Sequence, residues 1–327
     1  MYRVGVIGAG TMGRVHAGCY KRIRDAELVW IADIDAEKAS SLADSLGARA
    51  TANPMGVVED ASIDIIDVCL PTYLHKEWVI KAARAGKHVF CEKPIALTLE
   101  DAEDMIRTCE RESVKFSVGH VLRFFPEYEM LRESVASGEL GQIAVARFGR
   151  GGPFPRGWQD WYRDISKSAG MLVDLSIHDF DFVRWCFGDV ERIYTQSIFT
   201  AAPLQYALTT LRLKSGAIAH VEGSWAHPGG FWYKFEVAGK TGMMNFDSRA
   251  SAPISLSRAI SQAGPGGVAV PESPLEEKNP YLAELANFVG YIKGESQPRV
   301  TPQDAFEALR ISLSAVKSAE AGKVINL

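Results

Sequence analysis

One helical segment, residues 170–185, combines side chains that can exchange a proton with an otherwise apolar surface. It places Asp174, His178 and Asp181 four and three residues apart, and therefore on one stripe of a helix. A carboxylate beside a buried imidazole orients it and stabilises its protonated form. The stripe is typical of a site where His178 accepts a proton and Asp174 orients the imidazole. A structural histidine held by two aspartates is the alternative interpretation.

The tripeptide Glu92-Lys93-Pro94 follows an apolar stretch typical of a buried strand. A lysine that is partly desolvated beside a ligand can exchange a proton with a reacting oxygen or stabilise its negative charge. The proline sets the chain direction and is compatible with a cis peptide bond. Taken alone, the tripeptide is explained better by a solvated lysine paired with Glu92. Its position at a strand end is what makes Lys93 a catalytic candidate.

The sequence GAGTMG at Gly8–Gly13 fits the pattern GxGxxG, directly after a strand-like run and at the start of a helix. Gly8 permits a tight turn, Gly10 lets a pyrophosphate approach the backbone, and Gly13 lets the helix pack closely. Asp33 follows about twenty residues later, where a carboxylate accepts hydrogen bonds from ribose hydroxyls. Because no arginine stands beside Asp33 to pair with a 2′-phosphate, the pattern predicts NAD rather than NADP.

A further polar group, Leu70-Pro71-Thr72 with His75, follows the fourth strand-like run. Ligands of open α/β sheets lie outside the carboxyl ends of the strands. We therefore expect contact with the cofactor, and a purely local role for His75 is an equal alternative. The predicted cofactor-binding residues are Gly8, Ala9, Gly10, Thr11, Met12, Gly13, Asp33, Ile34, Leu70, Pro71, Thr72, His75, Glu92, Lys93 and Pro94.

The hydrophobic pattern predicts two domains that position these residues. Over residues 1–121, continuous apolar runs alternate with helical patterns, which is typical of an α/β fold with a doubly wound parallel sheet, a Rossmann domain. Over residues 122–327, extended segments with turn signals predict an α+β domain with a large, open, mainly antiparallel sheet. A helix over about 302–321 is predicted to pack back on the Rossmann domain. The Gly- and Pro-rich segment 262–274 is predicted to be a loop.

Composition argues against several classes of protein. The 327 residues carry a formal net charge of -4, which does not suit a nucleic-acid partner. The sequence shows no signal peptide and no apolar run near the roughly 18 residues of a membrane span. The five cysteines have no metal-like spacing. We therefore predict reduced thiols, no metal site, no membrane partner and a soluble cytoplasmic protein.

Three stretches together resemble the Gfo/Idh/MocA oxidoreductases, and in particular inositol dehydrogenase-like members. They are GAGTMGRVH from Gly8, AGKHVFCEKPIA from Ala85 and AGMLVDLSIHDFDFVRW from Ala169, and the resemblance extends over residues 1 to about 240. It implies a Rossmann domain, a substrate domain with an open antiparallel sheet, and hydride transfer between NAD and a carbon of a sugar or polyol. It also implies that Lys93, Asp174 and His178 are catalytic.

The loop at residues 151–164, GGPFPRGWQDWYRD, combines aromatic side chains with arginines. That mixture suits the apolar faces and hydroxyl edges of a sugar, although a packed interface loop is the alternative. The resemblance adds Arg123 as a substrate contact. The predicted substrate-binding residues are Lys93, His120, Arg123, Trp161, Arg163, Asp174, His178 and Tyr233.

Two positions depart from the family pattern near the expected substrate. Ala169 stands where the family has paired glycines, and a positive φ there would strain alanine. The segment Val121-Leu122-Arg123 carries one arginine where some relatives have two polar residues. Both departures bear on which substrate binds.

The sequence leaves the assembly and the exact function open. The open sheet face, with Trp225, Trp232 and Tyr233, predicts a homodimer or homotetramer. The favoured function is NAD-dependent oxidation of a secondary hydroxyl of a cyclic polyol, sugar or sugar derivative. The alternatives are an NAD-retaining glycosidase of the same fold and a non-catalytic sensor of sugar or cofactor.

Overall fold

The computed structural model describes residues 1–199, 205–250 and 279–327. The chain forms two compact units, Met1–Phe124 with Glu277–Phe306 and Phe125–Glu276 with Glu307–Leu327. The predicted boundary lies between residues 121 and 122. In the structure, the first unit also contains the helix Pro280–Lys293. The predicted loop at 262–274 lies outside the described residues.

The first unit contains a six-stranded parallel sheet in the order β3-β2-β1-β4-β5-β6. This doubly wound order confirms the predicted Rossmann fold. In its centre, Val6 of β1 pairs with Ile31 on one side and with Asp67 on the other. The strands are β1 (Tyr2–Ile7), β2 (Ala26–Ala32), β3 (Arg49–Thr51), β4 (Ile65–Val68), β5 (His88–Cys91) and β6 (Phe116–Val118).

Four of the six described helices of the first unit begin at a side chain that caps the helix. The second helix begins after Asp35, whose carboxylate accepts the N–H of Lys38, and ends at Gly47 in the left-handed conformation. The helices are α1 (Thr11–Tyr20), α2 (Ala36–Leu46), α3 (Pro54–Glu59), α4 (His75–Arg84), α5 (Leu99–Arg111) and, in chain order, α10 (Pro280–Lys293), with 3₁₀ turns at Thr72–Leu74 and Val121–Phe124.

The second unit contains a seven-stranded sheet in the order β12-β11-β7-β10-β9-β8-β13. The described strand pairs are antiparallel except β7 with β10, which confirms the predicted mainly antiparallel sheet. The strands are β7 (Ile143–Gly151), β8 (Val190–Phe199), β9 (Gln205–Leu213), β10 (Ile218–Ser224), β11 (Trp232–Gly239), β12 (Met243–Asp247) and β13 (Ile325–Asn326).

Helices cover one face of this sheet and form an aromatic core with it. The ring of Tyr128 lies 4.8 Å from that of Phe182 and 5.2 Å from that of Phe235. None of the helices in the described ranges has the length and hydropathy of a membrane-spanning helix. The helices are α6 (Pro126–Ala136), α7 (Ile165–Ser168), α8 (Met171–Asp174), α9 (Ile177–Phe187) and α11 (Pro302–Ala321), with a 3₁₀ turn at Trp158–Arg163.

The aromatic residues predicted to lie on an open sheet face are buried within the chain, so that part of the prediction is wrong. Trp225, Trp232 and Tyr233 are each 4% exposed. The guanidinium of Arg249 covers Trp232 at 4.4 Å, and Tyr233 stacks on Tyr128 in the core. Among the described residues, the exposed large apolar side chains of the sheet are instead Tyr194, Ile198, Leu208, Ile218 and Met243.

Candidate active site

Close backbone approaches require two of the three glycines in the Gly8–Gly13 turn. Gly8 has a φ of +106°, and a Cβ atom there would lie 2.2 Å from the carbonyl oxygen of Cys69. A Cβ atom on Gly13 would lie 1.8 Å from the carbonyl oxygen of Gly8. A Cβ atom on Gly10 would meet no described atom within 4 Å. The turn is therefore packed tightly at its two ends and open at Gly10.

The N-terminus of α1 forms an anion cradle at this turn. Among the described residues, no side chain caps the helix at Gly10. The first-turn N–H groups, which begin at Thr11 and Met12, have no carbonyl of the helix to donate to, and they carry the positive end of the helix dipole. A pyrophosphate group fits these donors and the space beside Gly10.

Asp33 lies next to the cradle and is fixed by two backbone contacts. Its Oδ2 accepts the N–H of Ala9 at 2.7 Å, and its Oδ1 accepts the N–H of Asp35 at 2.9 Å. The lone pairs that remain can accept ribose hydroxyls. Ile34, also a candidate, is 66% exposed and offers an apolar surface beside this carboxylate. The residues present therefore suit the adenosine half of a dinucleotide.

The loop after β4 is held to the loop after β5 by His75. Its Nδ1 lies 2.8 Å from the carbonyl oxygen of Pro94, and its Nε2 lies 2.8 Å from that of Leu70. The ring is fully buried, and burial lowers the pKa of His75. Thr72 in the same loop is also buried, at 3% exposure. Contact of these side chains with the cofactor stays a prediction, whereas the local role of His75 is visible in the structure.

The Glu92-Lys93-Pro94 segment follows β5 with a cis peptide bond between Lys93 and Pro94. Glu92 is buried, and its Oε2 accepts the backbone N–H of Lys93 at 3.0 Å. Lys93 itself is half-buried. Glu92 thus binds the backbone N–H of Lys93.

A buried charged cluster in the first unit was missed by sequence reasoning. His16 of α1 lies 2.9 Å from Asp67 of β4 and 3.1 Å from Glu92. The sequence does contain a sign of this cluster, since Asp67 is a charged residue within a continuous apolar strand. Such a residue requires a buried partner. The sequence alone does not say which one.

The predicted single helix over 170–185 is wrong, because the structure has two helices, α8 and α9, joined at Leu175 and Ser176. The carbonyl oxygen of Met171 accepts both the N–H of Leu175 and that of Ser176, so the regular hydrogen-bond pattern is lost there. Asp174 ends α8 and is buried, whereas His178 lies in the first turn of α9 and is half-exposed. The two candidates therefore belong to different helices.

Asp179, which follows His178 in α9, forms a buried ion pair with the sheet. Both of its oxygens accept from Arg150 of β7, at 2.6 and 2.7 Å, and both residues are buried. Burial raises the pKa of Asp179, and the charge of Arg150 opposes that shift. The pair ties α9 to the sheet. Asp181 is also buried, at 1% exposure.

The loop at 151–164 has a strained backbone and a mixture of buried and exposed side chains. Gln159 and Asp160 have backbone φ angles of 51° and 55°, which residues other than glycine rarely adopt. Trp161 is buried and stacks on Tyr162 with ring centres 3.9 Å apart. Arg163 is exposed and pairs with Asp160. Contact of Trp161 and Arg163 with substrate stays a prediction.

The other predicted substrate contacts are almost fully buried inside their own units. Arg123 is 1% exposed, and its Nη1 pairs with Asp304 at 3.2 Å. Tyr233 donates its hydroxyl to Glu127 at 2.7 Å. His120 is fully buried. These contacts give each unit internal support, and a role in binding substrate stays a prediction for all three residues.

Comparison with known protein families matches both halves of the chain. Residues 2–120 match the oxidoreductase family with an NAD-binding Rossmann fold, and residues 128–245 match the GFO/IDH/MocA C-terminal domain. The chain is 32% identical to myo-inositol 2-dehydrogenase of Thermotoga maritima, over 99% of this chain and 98% of that protein. It is 29% identical to scyllo-inositol 2-dehydrogenase (NAD(+)) of Bacillus subtilis, over 99% and 96% of the two chains.

Solved structures agree with these matches. The crystal structure of a probable dehydrogenase from Thermotoga maritima superposes with a TM-score of 0.84 at 31% identity, covering 99% of this chain and 98% of that one. Fold, motifs and full-length similarity therefore lead to the same assignment. The chain belongs to the Gfo/Idh/MocA family of oxidoreductases, and its Rossmann domain takes NAD as cofactor.

Proposed function

We propose that this enzyme is an NAD-dependent dehydrogenase that oxidises a secondary hydroxyl of a cyclic polyol, sugar or sugar derivative. The observation that carries the proposal is the full-length similarity to proteins named as inositol 2-dehydrogenases. A 1,5-anhydro-D-fructose reductase from Ensifer adhaerens, 28% identical over the full chain, widens the substrate class to sugar derivatives. We expect inositols to be the first substrates to test.

The residues at the glycine turn fit NAD. We propose that the amides at Gly10–Gly13 hold the pyrophosphate and that Asp33 accepts the ribose hydroxyls. When bound, NAD supplies the acceptor for the hydride that leaves the substrate carbon. The carboxylate of Asp33 disfavours a second phosphate, which supports the preference for NAD over NADP.

We propose Lys93, Asp174 and His178 as the catalytic residues. His178 takes the hydroxyl proton, and Asp174 orients or shares it. Lys93 stabilises the negative charge that develops on the oxygen or relays the proton. The residue that accepts the proton first must be deprotonated to act. Its loss should therefore remove the acidic limb of the pH profile of kcat, which separates His178 from Lys93 in this role.

The decisive experiment measures NADH fluorescence after mixing the protein with NAD and a panel of inositols, aldoses and amino sugars. We expect turnover with at least one cyclic polyol or sugar. Lys93→Met and His178→Ala should each lower kcat by about 10²–10⁴-fold, because each removes a proton-transfer or charge-stabilising group. NADH binding, followed by fluorescence, should persist in both variants.

Lys81→Met is the matched control, since Lys81 pairs with Glu77 on the surface of α4. It should leave kcat unchanged. Absence of turnover with the whole panel, together with NAD that copurifies and is not reduced, would contradict the dehydrogenase proposal and favour the retaining-glycosidase chemistry. Equal loss of activity in Lys81→Met would mean that the assay reports folding rather than catalysis.

We further propose how the chain is organised and where it works. Residues 1–121 serve as the NAD-binding domain, and residues 122–327 serve substrate binding and oligomerisation, with a homodimer or homotetramer formed through the exposed sheet face of the second unit. A cytoplasmic location is supported by the five cysteines, which are all free thiols.

A further inference from the structure

The buried cluster of His16, Asp67 and Glu92 touches the segment that carries Lys93. His16 and Asp67 are fully buried, and Glu92 is 7% exposed. Nδ1 of His16 lies 2.9 Å from Oδ2 of Asp67, and Nε2 lies 3.1 Å from Oε1 of Glu92. One imidazole therefore connects two carboxylates that come from different parts of the sheet.

The geometry favours the charged form of His16. Nδ1 is hydrogen-bonded to Asp67, whereas Nε2 and Oε1 of Glu92 lie at ion-pair distance without the alignment of a hydrogen bond. An imidazolium places one positive charge against both buried carboxylates, and a neutral ring leaves them without a cation. Burial by itself lowers the pKa of His16, but the charge and hydrogen bond of Asp67, together with the hydrogen bond of Cys69, raise it. Burial by itself raises the pKa of Glu92, but the charge of the nearby His16 lowers it. Both shifts favour a cation between two anions.

The remaining neighbours of His16 come from four elements. Burial raises the pKa of the Cys69 thiol and of the Cys19 thiol, and it raises the pKa of the Tyr20 hydroxyl. These three groups are therefore neutral at physiological pH. The rings of Phe90 from β5 and Tyr281 from α10 are further neighbours. Glu284 of α10 also lies nearby, and its charge raises the pKa of the Cys19 thiol.

His16, Asp67 and Cys69 have the composition of a metal site, since their ligand atoms lie within 4.8 Å of one another. The separations are those of hydrogen bonds, with Sγ of Cys69 3.3 Å from Nδ1 of His16 and 3.3 Å from Oδ1 of Asp67. A protonated thiol is a poor metal ligand. We therefore interpret the cluster as a hydrogen-bonded ion group.

Glu92 connects His16 to the backbone of Lys93. While Oε1 faces His16, Oε2 accepts the backbone N–H of Lys93 at 3.0 Å. A Cβ atom on Gly119 would lie 3.3 Å from Oε1, so the neighbouring chain leaves little room for Glu92 to turn. On the other side of Lys93, His75 binds the carbonyl oxygen of Pro94. The backbone around Lys93 is thus held on both sides.

We propose that His16 is a positioning residue for Lys93, which it holds in place through Glu92 and whose electrostatic surroundings it sets by balancing one of the two buried carboxylates. The inference rests on the proposed catalytic role of Lys93. Replacing His16 by a neutral residue breaks the contact to Glu92 and leaves two buried carboxylates without a cation between them. Both changes act on Lys93 without touching it.

The test compares His16→Asn with the wild-type protein in two measurements that need no substrate. Trace acetylation of the whole protein at several pH values, quantified by mass spectrometry, reports the pH at which Lys93 becomes half-reactive. We expect His16→Asn to move that pH by about 1 unit, while Lys81 in the same sample stays unchanged. His88→Asn is the matched control, because His88 is a partly buried histidine of β5 whose Nδ1 accepts the N–H of Lys115.

The second measurement is the ¹⁵N NMR spectrum of the His16 ring in the wild-type protein. We expect the chemical shifts of an imidazolium at neutral pH and above, whether or not His16→Asn folds. A neutral ring at pH 7, zinc bound in stoichiometric amount, or an unchanged Lys93 profile in folded His16→Asn would each overturn the proposal. Because neither readout uses turnover, failure of the dehydrogenase assay leaves this test intact.

Where the wild-type enzyme turns over, kinetics give a third readout. His16→Asn should lower kcat by about tenfold or more and leave the KM for NAD within about threefold, since the cradle at Gly10 is not altered. A loss confined to KM for NAD would assign His16 to cofactor binding and contradict the positioning role. Glu92→Gln keeps an acceptor for the Lys93 N–H but removes the charge. It should also shift the pH at which Lys93 becomes half-reactive toward acetylation.

Discussion

The carboxylate of Asp33 serves two purposes in the first unit. It accepts the backbone N–H groups of Ala9 and Asp35, at 2.7 and 2.9 Å, and so holds the glycine turn against the end of β2. It also places a negative charge where the ribose of a dinucleotide lies in this fold. Substitutions at this residue can separate the hydrogen bonds from the charge.

We expect Asp33→Ala to lower kcat/KM for NAD about tenfold and to raise the NADP-to-NAD ratio of kcat/KM by more than about tenfold, because repulsion of a 2′-phosphate is removed. Asp33→Asn should relax the discrimination too, but it should bind NAD better than Asp33→Ala, since its amide oxygen still accepts from Ala9. Steady-state kinetics with both cofactors measure this. An unchanged ratio in both variants would show that Asp33 does not select the cofactor.

Ala169 carries backbone strain that the sequence analysis anticipated. Its φ is 55°, the left-handed conformation, directly before Gly170 at 75°. We expect Ala169→Gly to increase the free energy of unfolding by about 0.5–1 kcal/mol, because glycine adopts this conformation without the Cβ clash. Urea denaturation measures the change. Ala136→Gly, at the exposed end of α6, is the control and should lower stability by about 0.5–1 kcal/mol; a loss in both variants would refute the strain.

At the scale of elements, periodicity predicted the strands and most helices, and it failed where tertiary packing overrides it. The break between α8 and α9 lies against β10, where a Cβ atom on Gly223 would come within 2.3 Å of Oγ of Ser176 and 2.6 Å of Sδ of Met171. No local pattern encodes that approach. Likewise, the pairing of His16 with Asp67 joins residues 51 apart in the chain, which spacing rules for one helix or strand cannot detect.

The glycine turn and the lysine segment could be predicted because their chemistry is local. The steric roles of Gly8 and Gly13 follow from GxGxxG in its strand–helix context, whereas Pro94 allows a cis bond without determining it. The pairing of Arg150 with Asp179 could not be predicted, since Arg150 lies on a strand, Asp179 lies on a helix, and the two are 29 residues apart in the sequence. Burial of both partners is visible only in the folded unit.

The Arg150–Asp179 pair holds α9 on β7, and its loss should destabilise the second unit. We expect Asp179→Asn to lower the free energy of unfolding by about 3 kcal/mol, because Arg150 keeps its charge in a buried place. Urea denaturation followed by tryptophan fluorescence measures this. Glu236→Gln, which affects an exposed pair with Arg147, should change stability by less than about 0.5 kcal/mol. Equal effects of the two substitutions would contradict an anchoring role.

At the scale of the whole molecule, we propose that copies of the chain assemble through the exposed face of the second sheet. Ile198 is 57% exposed and Leu208 is 40% exposed, on neighbouring strands. Exposed apolar side chains grouped on one sheet face are typical of an interface. The buried aromatic residues of the same sheet do not contribute to that surface.

We expect the double substitution Ile198→Glu with Leu208→Glu to dissociate the oligomer, because two charges would be buried without partners at the interface. Light scattering coupled to gel filtration gives the mass before and after. Ile165→Glu introduces the same charge at a residue that is 61% exposed in α7, outside the sheet, and it should leave the mass unchanged. If the wild-type protein is a monomer, or the double variant keeps its mass, this face is not the interface.

The first unit takes its last helix from the far end of the chain, and this has a consequence for synthesis. Phe90 of β5 packs on Phe288 of α10, with ring centres 5.4 Å apart, and His16 faces Tyr281. On the ribosome, the parallel sheet emerges long before α10 does. The nascent Rossmann unit therefore keeps an apolar face uncovered until α10 has been made. A chain that stops before Pro280 would keep that face exposed and become a client of chaperones.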